Sequence, residues 1–540
     1  MAPALLARTD ASPTPVRAGG PPALANWIDC SAARQPDKIA VRFGDTALGY
    51  VALAQRCDTI AAALAAAGVR RGDRVAWLGL NCPAMLATLF ACARLGAIFM
   101  PLNWRLAPPE QREMLHACGP AVLCIDDGFA AASRAGDIAP AGTLCVVQSN
   151  APAGWTRWDS FIEGGRGLAP PATVIDADAP VLLCFTSGST GPPKGVLLSQ
   201  DALAANADAS VDMHEMSADD RVLTTLPLFH VGGLNIQTTP ALRTGCSVTL
   251  QPKFDAGAAF DAIERERITL TVLVPAQLEV MIAHPRWAGA DLSSLRMIST
   301  GSTMVPERLQ HAVHARGVPL LQVWGATETA PIAACLHAGE ALRKAGSSGR
   351  AALGCELRIV DGAGHDVPAG TSGEVLVRGR NVMRGYWHDA PATARTLADG
   401  WFHSGDSGRF DAEGFLTIDG RLKDMIISGG ENISPAEVEQ LLLACPHIAE
   451  AAVVGRPDAR WGEAVVAVIV PAPAAGLTRE AVMELFDGRL ARFKHPKDVI
   501  FLDTLPRTAI GKVRKDELRR LVAAASADTI ALHSHQEPIA

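Results

Sequence analysis

The chain has 540 residues, which is too long for one hydrophobic core and corresponds to roughly three or four core-sized units. Its 49% apolar and 19% charged residues exclude a disordered protein, and its net charge of −7, without a dominant basic run, excludes duplex nucleic-acid binding as a main task. The 12 cysteines form neither a C-x-x-C pair nor a zinc-type cluster, so we expect reduced thiols in a cytoplasmic protein.

The beginning of the chain is rich in Ala and Pro, and its apolar stretch is too short for a secretory signal. We therefore expect a disordered leader over residues 1–23. The apolar stretch over residues 82–101 is the best candidate for a membrane span, but Pro83 and Arg94 interrupt it. A buried helix is the prediction there, and no transmembrane segment is expected.

Most of the chain shows an α/β pattern. Between residues 39 and 300, short apolar runs alternate with longer stretches of helical period, which indicates parallel-type sheets. Over residues 346–420 the pattern changes to glycine-rich alternating segments, typical of antiparallel hairpins. A second unit begins near Arg421, where Ser434-Pro435-Ala436-Glu437 predicts a helix start with a capping box. We expect an α/β protein with a large N-terminal domain of several subdomains over residues 24–420 and a small α+β C-terminal domain over residues 426–540.

An apolar strand over residues 181–185 opens into a loop with an unusual composition. The loop has the sequence Thr186-Ser187-Gly188-Ser189-Thr190-Gly191-Pro192-Pro193-Lys194-Gly195. Glycines allow close backbone approach, hydroxyls donate hydrogen bonds and the lysine adds a cation, which suits a polyphosphate. A Walker A loop has a glycine before its lysine, where this chain has Pro193, so a generic P-loop kinase or GTPase is disfavoured. The alternative is a flexible surface turn.

Five further motifs follow this loop along the chain. They are Pro227-Leu228-Phe229-His230, Trp324-Gly325-Ala326-Thr327-Glu328, Trp401-Phe402-His403-Ser404-Gly405-Asp406, Arg421-Leu422-Lys423-Asp424 followed by Gly429-Gly430-Glu431-Asn432, and Pro506-Arg507-Thr508-Ala509-Ile510-Gly511-Lys512. Together with the loop, they resemble the ordered motif set of the adenylate-forming superfamily, over nearly the whole chain beyond the leader. That family comprises acyl-CoA synthetases, peptide-synthetase adenylation domains and firefly luciferase. The pattern looks most like bacterial fatty-acyl-CoA ligases.

The resemblance implies an ATP-dependent acyl-CoA ligase. In such an enzyme, a carboxylate is joined to the α-phosphoryl group of ATP, pyrophosphate leaves, and the thiol of CoA then attacks the acyl-AMP. The implied partners are a small-molecule carboxylic acid, ATP and CoA, with Mg²⁺ as cofactor. Nucleic acid is not expected as a partner, and a homodimer is left open.

The resemblance also assigns residues to the nucleotide. Trp324 stands where most members carry Tyr, so the indole keeps the stacking on adenine but lacks the phenol. Asp406 matches the acid that binds the ribose hydroxyls, and Thr186 and Glu328 are the candidate magnesium ligands. The ATP- and AMP-binding candidates are Thr186, Ser187, Gly188, Ser189, Thr190, Gly191, Gly301, Ser302, Trp324, Gly325, Thr327, Asp406 and Arg421.

Three residues carry the implied catalytic roles. Lys194 joins the hydroxyl loop on the phosphates, His230 lies near the substrate carboxylate, and Lys512 bridges that carboxylate and the α-phosphate. The small C-terminal domain is expected to rotate between the two half-reactions about a hinge at residues 421–425, centred on Lys423. After rotation, Gly429 and Gly430 would line the CoA channel, because missing side chains let a thin thiol arm pass.

The acid itself is less constrained. Val231, Leu234, Ile236 and Ala326 favour an apolar tail, either a medium- to long-chain fatty acid or an aryl acid. A dicarboxylate is disfavoured because residues 231–240 contain neither Arg nor Lys.

Two other functions stay open. A stand-alone adenylation enzyme could load an amino or aryl acid onto a carrier protein, but such enzymes usually have an Asp at the position of His230 and Val231. A non-catalytic nucleotide-binding regulator, from a different class, would have lost Lys512, Glu328 or the hydroxyl loop, and all are present.

Overall fold

The computed structural model describes residues 23–134, 138–171, 175–186, 193–302, 305–428, 431–458, 461–473, 476–487, 489–508 and 511–533. Of the leader predicted over residues 1–23, all but the last residue lie outside these ranges. All 12 cysteines lie within them and are free thiols. Within the same ranges, no helix combines the length and apolar character needed to cross a membrane.

The first third of the chain alternates helices and strands, as the sequence predicts. The predicted buried helix starts at Pro83 and ends before Gly96, whose left-handed φ of 67° suits glycine, and a buried strand follows it. The elements are α1 (Trp27–Arg34), β1 (Ile39–Phe43), β2 (Thr46–Gly49), α2 (Tyr50–Ala66), β3 (Arg74–Leu78), α3 (Pro83–Leu95), β4 (Ile98–Pro101), α4 (Pro108–Cys118), β5 (Val122–Ile125), α5 (Asp127–Arg134), β6 (Leu144–Val147), β7 (Thr156–Arg157) and α6 (Trp158–Glu163).

The middle of the chain continues this alternation and contains a π-helix over Leu234–Thr238. The elements are β8 (Pro180–Thr186), β9 (Lys194–Ser199), α7 (Gln200–His214), β10 (Arg221–Thr224), α8 (Val231–Gly233), α9 (Thr239–Thr244), β11 (Ser247–Leu250), α10 (Ala256–Arg265), β12 (Leu270–Val272), α11 (Pro275–Ala283), β13 (Met297–Gly301), α12 (Glu307–His314), β14 (Leu320–Trp324) and β15 (Ala334–Cys335).

The next segment is mainly antiparallel, as its glycine-rich alternation predicts. Its elements are β16 (Arg350–Ala351), β17 (Cys355–Val360), β18 (Gly373–Gly379), β19 (Gly385–Tyr386), α13 (Ala390–Thr396), β20 (Leu397–Ala398), β21 (Trp401–Phe410) and β22 (Leu416–Arg421).

The last segment has a sheet and hydrophobic clusters of its own. Its elements are β23 (Ile426–Ser428), β24 (Glu431–Ile433), α14 (Pro435–Leu443), β25 (Ile448–Asp458), β26 (Gly462–Pro471), α15 (Arg479–Glu484), β27 (Asp498–Phe501) and α16 (Lys515–His533).

Two mainly parallel sheets form the larger part of the molecule. One has the strand order β16-β15-β14-β13-β12-β10-β11-β1-β2, and the other β19-β9-β8-β4-β3-β5-β6-β7. Their central strands, such as β4, β5 and β14, are fully buried, whereas the edge strands β2, β7 and β16 are not. The largest hydrophobic cluster joins α2 and α3 to both sheets. The antiparallel strands β17, β18, β20, β21 and β22 form a third sheet. The predicted α/β class with parallel-type sheets, a β-rich part and a small α+β unit is confirmed.

The predicted capping box at the start of α14 is wrong. The helix does start at Pro435, but the Ser434 hydroxyl donates to the carbonyl oxygen of Asp419 and caps no helical N–H. Glu437 accepts hydrogen bonds from the Lys494 ammonium at 2.7 Å. Tertiary partners therefore replace the local reciprocal bonds that the sequence suggests.

Candidate active site

The carboxyl ends of the parallel strands β10, β12, β13 and β14 meet at one edge of their sheet. Strand β13 ends at Gly301 and β14 at Trp324, and Gly301 lies opposite Val323 in the register. Open α/β sheets bind their ligands outside the carboxyl ends of the strands. The topology thus brings predicted nucleotide-binding residues from separate motifs together at this edge.

Close backbone approach requires glycine at two predicted positions. A Cβ on Gly301 would lie 2.5 Å from the Val323 carbonyl oxygen, and one on Gly325 would lie 1.8 Å from that of Pro331. Ser302 has a φ of 76°, a left-handed conformation that costs a non-glycine residue free energy and that clusters at functional sites. Thr327 is buried and begins a short 3₁₀ turn. The motif glycines therefore have a structural reason as well as a predicted functional one.

Trp324, Asp406 and Arg421 form one hydrogen-bonded unit. The indole Nε1–H of Trp324 donates to Oδ2 of Asp406 at 2.9 Å, and Nε of Arg421 lies 2.8 Å from Oδ1. Asp406 and Arg421 face each other directly across β21 and β22, while a second Arg421 nitrogen donates to the Ser404 carbonyl oxygen at 2.9 Å. The indole therefore supplies a hydrogen-bond donor to the same acid that the sequence assigns to the ribose.

Burial dominates the electrostatics of Asp406. Loss of water raises the pKa of its carboxyl group, and the opposing charge of Arg421 and the Trp324 hydrogen bond counteract that rise. A buried carboxylate needs such partners, because an unpaired one is costly to desolvate. The unit thus holds a largely buried acid in a fixed orientation.

A second unit links Lys194, Tyr386 and Glu328. Thr186 and Lys194 pair across β8 and β9, which places them at the two ends of the hydroxyl loop. The Lys194 ammonium lies 4.8 Å from the centre of the Tyr386 ring, and the phenol donates to Oε1 of Glu328 at 2.8 Å. Burial and the Glu328 charge both raise the pKa of Tyr386, so the phenol stays protonated and remains a donor. The two predicted magnesium ligands, Thr186 and Glu328, are therefore connected through Lys194 and Tyr386.

His230 directly precedes α8. Its Nδ1 accepts a hydrogen bond from the Gly232 N–H at 3.1 Å, which leaves the proton of the neutral ring on Nε2. Burial, and after it the positive charge of Lys512, lower the pKa of His230 to about 4. The ring is therefore uncharged near pH 7 and can donate from Nε2.

The backbone of Lys512, just before α16, is hydrogen-bonded to Thr508. The Thr508 N–H donates to the Lys512 carbonyl oxygen at 2.7 Å, and the Lys512 N–H donates to the Thr508 hydroxyl at 3.1 Å. Gly511 has a φ of 83°, and its N–H donates to the Thr508 carbonyl oxygen at 2.8 Å. These bonds to Thr508 fix the position of the Lys512 backbone.

The electrostatic neighbours of Lys512 come from three other motifs. Burial and the charge of Arg421 lower the pKa of its ammonium, and the carboxylates of Asp406 and Glu328 act in the opposite direction. Lys512 also acts on His230, which lies 282 residues earlier in the sequence (512 − 230). The structure brings these five predicted residues into one neighbourhood.

Lys423 lies in a 3₁₀ turn over Leu422–Asp424, directly after β22. Its side chain is exposed, and burial of part of it lowers the pKa of the ammonium. The neighbouring Asp424 pairs with Arg519 of α16 at 2.5 Å. The predicted hinge is thus a short turn with few covering side chains.

Apolar side chains cover another part of the same sheet edge. Leu226, Ile236, Val272 and Val274 form a small cluster where β10 and β12 end. Val231 and Leu234 instead pack into the largest hydrophobic core, so they stabilise the fold. Ala326 packs against the hydrophobic cluster of the third, antiparallel sheet. Of the four residues predicted to bind the apolar tail, Ile236 alone therefore belongs to the cluster at the strand ends.

Several predicted residues lie outside the described ranges. These are Ser187, Gly188, Ser189, Thr190 and Gly191 of the hydroxyl loop, and Gly429 and Gly430 of the CoA channel.

Two further residues, Tyr386 and Gln237, are not predicted from the sequence. The chain contains two tyrosines, and that rarity was the one available signal for Tyr386. Gln237 stands in a mixed polar stretch and carries no such signal, but both polar atoms of its buried amide lack a hydrogen-bond partner among the described residues. Such a group is uncommon in native proteins and calls for an explanation.

Comparisons with known proteins show the family of the chain. Residues 28–387 match the family model "AMP-binding enzyme", and residues 437–512 match "AMP-binding enzyme C-terminal domain". The chain is 59% identical to an indoleacetate–CoA ligase of Aromatoleum aromaticum, over 93% of this chain and 98% of the relative. It is 42% identical to a feruloyl-CoA synthase of an Amycolatopsis species, over 92% and 98%. The solved anthranilate CoA ligase AuaEII in complex with anthranoyl-AMP superposes with a TM-score of 0.86 at 27% identity, over 94% of this chain and 98% of the other.

Proposed function

The chain belongs to the family of AMP-binding enzymes and is an ATP-dependent acyl-CoA ligase, and from that premise we propose that its acid is aromatic, an arylacetate or arylpropenoate. The observation that carries the proposal is the apolar cluster of Leu226, Ile236 and Val272 at the sheet edge that also holds the nucleotide-binding candidates. Two relatives, an indoleacetate–CoA ligase and a feruloyl-CoA synthase, bear names of aromatic acids and support it. A fatty acid is the second candidate for the substrate class.

For the nucleotide, we propose the roles that the motifs imply. Asp406, held by Trp324 and Arg421, would accept hydrogen bonds from the ribose hydroxyls, and the Trp324 indole would lie on the adenine. Thr186, Lys194 and the hydroxyl loop would bind the phosphates that leave as pyrophosphate. The remaining candidates, Gly301, Ser302, Gly325 and Thr327, would form the backbone wall of this cleft.

For adenylation, we propose that Lys512 and His230 act on the reacting atoms. The Lys512 ammonium would lie between the substrate carboxylate and the α-phosphate, where negative charge accumulates as the two join. His230 would donate from Nε2 to the carboxylate, since Gly232 occupies Nδ1. A neutral ring suits this place because a second cation beside Lys512 is unfavourable.

The family implies Mg²⁺, and the residues present fit it. Tyr386 orients the Glu328 carboxylate through one oxygen, which leaves the second oxygen for an ion. Thr186, which pairs with Lys194 across β8 and β9, would add a hydroxyl. Hard oxygen ligands together with phosphate oxygens are the set that Mg²⁺ prefers. When bound there, the ion would neutralise phosphate charge.

For thioester formation, we propose that the part of the chain from residue 426 onward rotates about a hinge at residues 421–425, near Lys423. Lys512 would leave the site, and Gly429 and Gly430 would line the path of the CoA thiol. The separate sheet and hydrophobic clusters of this part support its movement as a unit. We also propose a cytoplasmic location, which the 12 free thiols support.

The test is a pyrophosphate-release assay with CoA over matched acids. Indole-3-acetate, ferulate, cinnamate, octanoate and malonate would be compared by kcat/KM, with thioester formation confirmed by mass. We expect at least one aromatic acid to exceed octanoate by about tenfold or more, as apolar pocket fit allows. Octanoate above every aromatic acid would refute the proposed substrate class, and release without thioester would refute transfer to CoA.

A further inference from the structure

Gln237 is a buried amide without a partner. The residue is 2% exposed, and neither Oε1 nor Nε2 of its side chain makes a hydrogen bond among the described residues. A carboxamide carries two donors and an acceptor with two lone pairs. Burying these donors and this acceptor without partners costs folding free energy, and a bound ligand group that pairs with them recovers that free energy. The side chain is therefore a candidate ligand-binding group.

The place of Gln237 in the fold connects it to the acyl end of the site. It lies on the π-helix over Leu234–Thr238, which begins four residues after His230. Its two neighbours in sequence face the strand ends: Ile236 packs with Leu226 and Val272, and the Thr238 hydroxyl lies 2.7 Å from that of Thr224. π-Helical turns occur mostly at functional sites. Gln237 is thus flanked by two residues that contact the carboxyl ends of β10 and β12.

Two more buried hydroxyls near these strand ends have no partner among the described residues. Thr225 directly follows β10 and is 1% exposed, and Thr300 precedes the last residue of β13 and is fully buried. Strands β10, β12 and β13 are consecutive neighbours in the sheet. The edge thus combines an apolar cluster with unpaired polar atoms. This combination suits a flat apolar ring that carries a hydrogen-bonding group.

We propose that Gln237 is a specificity-determining residue that recognises a hydrogen-bond donor on the ring of the aromatic acid. Its Oε1 would accept from a ring N–H or a phenolic hydroxyl, while the apolar cluster of Leu226, Ile236 and Val272 contacts the ring carbons. The inference rests on the proposed function and deepens it, since it selects among aromatic acids. Sites built to bind a polar substrate group reject analogues that lack it, because the protein group is then left unpaired.

The test compares two acids of the same shape, indole-3-acetate and 1-benzothiophene-3-acetate, in which sulfur replaces the ring N–H. We expect wild-type kcat/KM to favour the indole acid by about tenfold or more. Gln237→Met keeps the length of the side chain and removes its polar atoms, so the ratio should fall close to one, mainly through a lower kcat/KM for the indole acid. The melting temperature of the ligand-free variant should be unchanged or higher, because the variant removes an unsatisfied buried amide.

Gln111→Met is the matched control. Gln111 is also buried, but its amide donates to the carbonyl oxygens of Leu106 and Asn103, at 2.9 and 3.3 Å. This variant should lower the melting temperature and keep the preference for the indole acid. A Gln237→Met enzyme that retains the preference would overturn the inference. Equal turnover of both acids by the wild type would overturn the inference, as would turnover of neither. The aromatic substrate class falls only if octanoate exceeds every aromatic acid, so the two failures are distinguishable.

Discussion

The nucleotide end and the acyl end of the candidate site differ in how their buried polar groups are paired. At the nucleotide end, Asp406 already has Trp324 and Arg421 as partners, and Glu328 has Tyr386. At the proposed acyl end, Gln237 and Thr225 have none among the described residues. ATP is the same for every ligase of this family, whereas the acid varies. Under the proposed assignments, preformed pairs would hold the invariant substrate, while unpaired groups would select the variable one.

The largest expected effect comes from Lys512→Ala. The variant removes the cation that lies among Asp406, Glu328 and His230, so we expect ATP–pyrophosphate exchange to fall by about 100-fold or more, as for loss of one charge-stabilising group. Preformed acyl-AMP should still react with CoA, because Lys512 is proposed to leave before that step.

Lys515→Ala is the control for this prediction. Lys515 lies three residues further on and pairs with Glu439 at 2.6 Å, so both half-reactions should persist. A Lys512→Ala enzyme that loses both half-reactions equally would contradict the division of labour between them.

Trp324→Phe tests the preformed pairing at the nucleotide end. Phenylalanine keeps an aromatic face for adenine but removes the hydrogen bond to Asp406. We expect KM for ATP to rise about tenfold, since hydrogen bonds to charged groups contribute about 1.5–3 kcal/mol. Trp401→Phe serves as control, because this buried indole packs elsewhere, against Val360 and Leu376. An unchanged KM for ATP in Trp324→Phe would show that Asp406 needs no such support.

Tyr386→Phe tests the link between Lys194 and Glu328. The ring under the Lys194 ammonium stays, and the hydrogen bond to Glu328 is lost. We expect the Mg²⁺ concentration for half-maximal activity to rise about fivefold, as a bond of about 1 kcal/mol implies. The second tyrosine provides the control: Tyr50→Phe removes a 2.6 Å bond to the Cys246 carbonyl oxygen and should lower the melting temperature alone. A raised Mg²⁺ requirement in Tyr50→Phe but not in Tyr386→Phe would contradict the proposed role of Tyr386 in orienting Glu328.

The smallest effect concerns pH and His230. Because its folded-state pKa is lowered to about 4 from an ordinary value of about 6.5, the unfolded chain binds the proton more readily. Its stability contribution is therefore complete above about pH 6.5 and is lost as the pH falls toward 4. His230 is only half-buried, which moderates the effect. Between pH 7 and 5, wild-type enzyme should therefore lose about 1 kcal/mol more stability than His230→Gln. Equal shifts of the melting temperature in the wild-type and His230→Gln enzymes would contradict the conclusion that the His230 ring is neutral.

Much of the fold and of the site could be predicted from the sequence, because the relevant signals are local. Apolar runs, helix-starting prolines and turn glycines predict the parallel sheets and α3. The family resemblance of the ordered motifs predicts that Lys512, Asp406 and His230 share one site. These features depend on neighbours in the chain or on a family resemblance.

Pairings between distant residues could not be predicted. The Trp324–Asp406 bond joins residues 82 apart in sequence, and the Tyr386–Glu328 bond joins residues 58 apart. Ser434 is another example, because its hydroxyl bonds to the distant Asp419 carbonyl oxygen and not to the helix start that the local sequence predicts. Gln237 carried no sequence signal, because only the packing around it shows that its amide is buried and unpaired.

The most direct test of the account is the binding of a non-hydrolysable arylacetyl sulfamate analogue of the acyl-AMP, measured by titration calorimetry on wild-type and Lys512→Ala enzymes. The central claim is that Lys512 and the nucleotide-binding residues act on one adenylate. It predicts that the variant binds the analogue at least about tenfold more weakly, since a charge-assisted contact is lost. Equal affinities would contradict it.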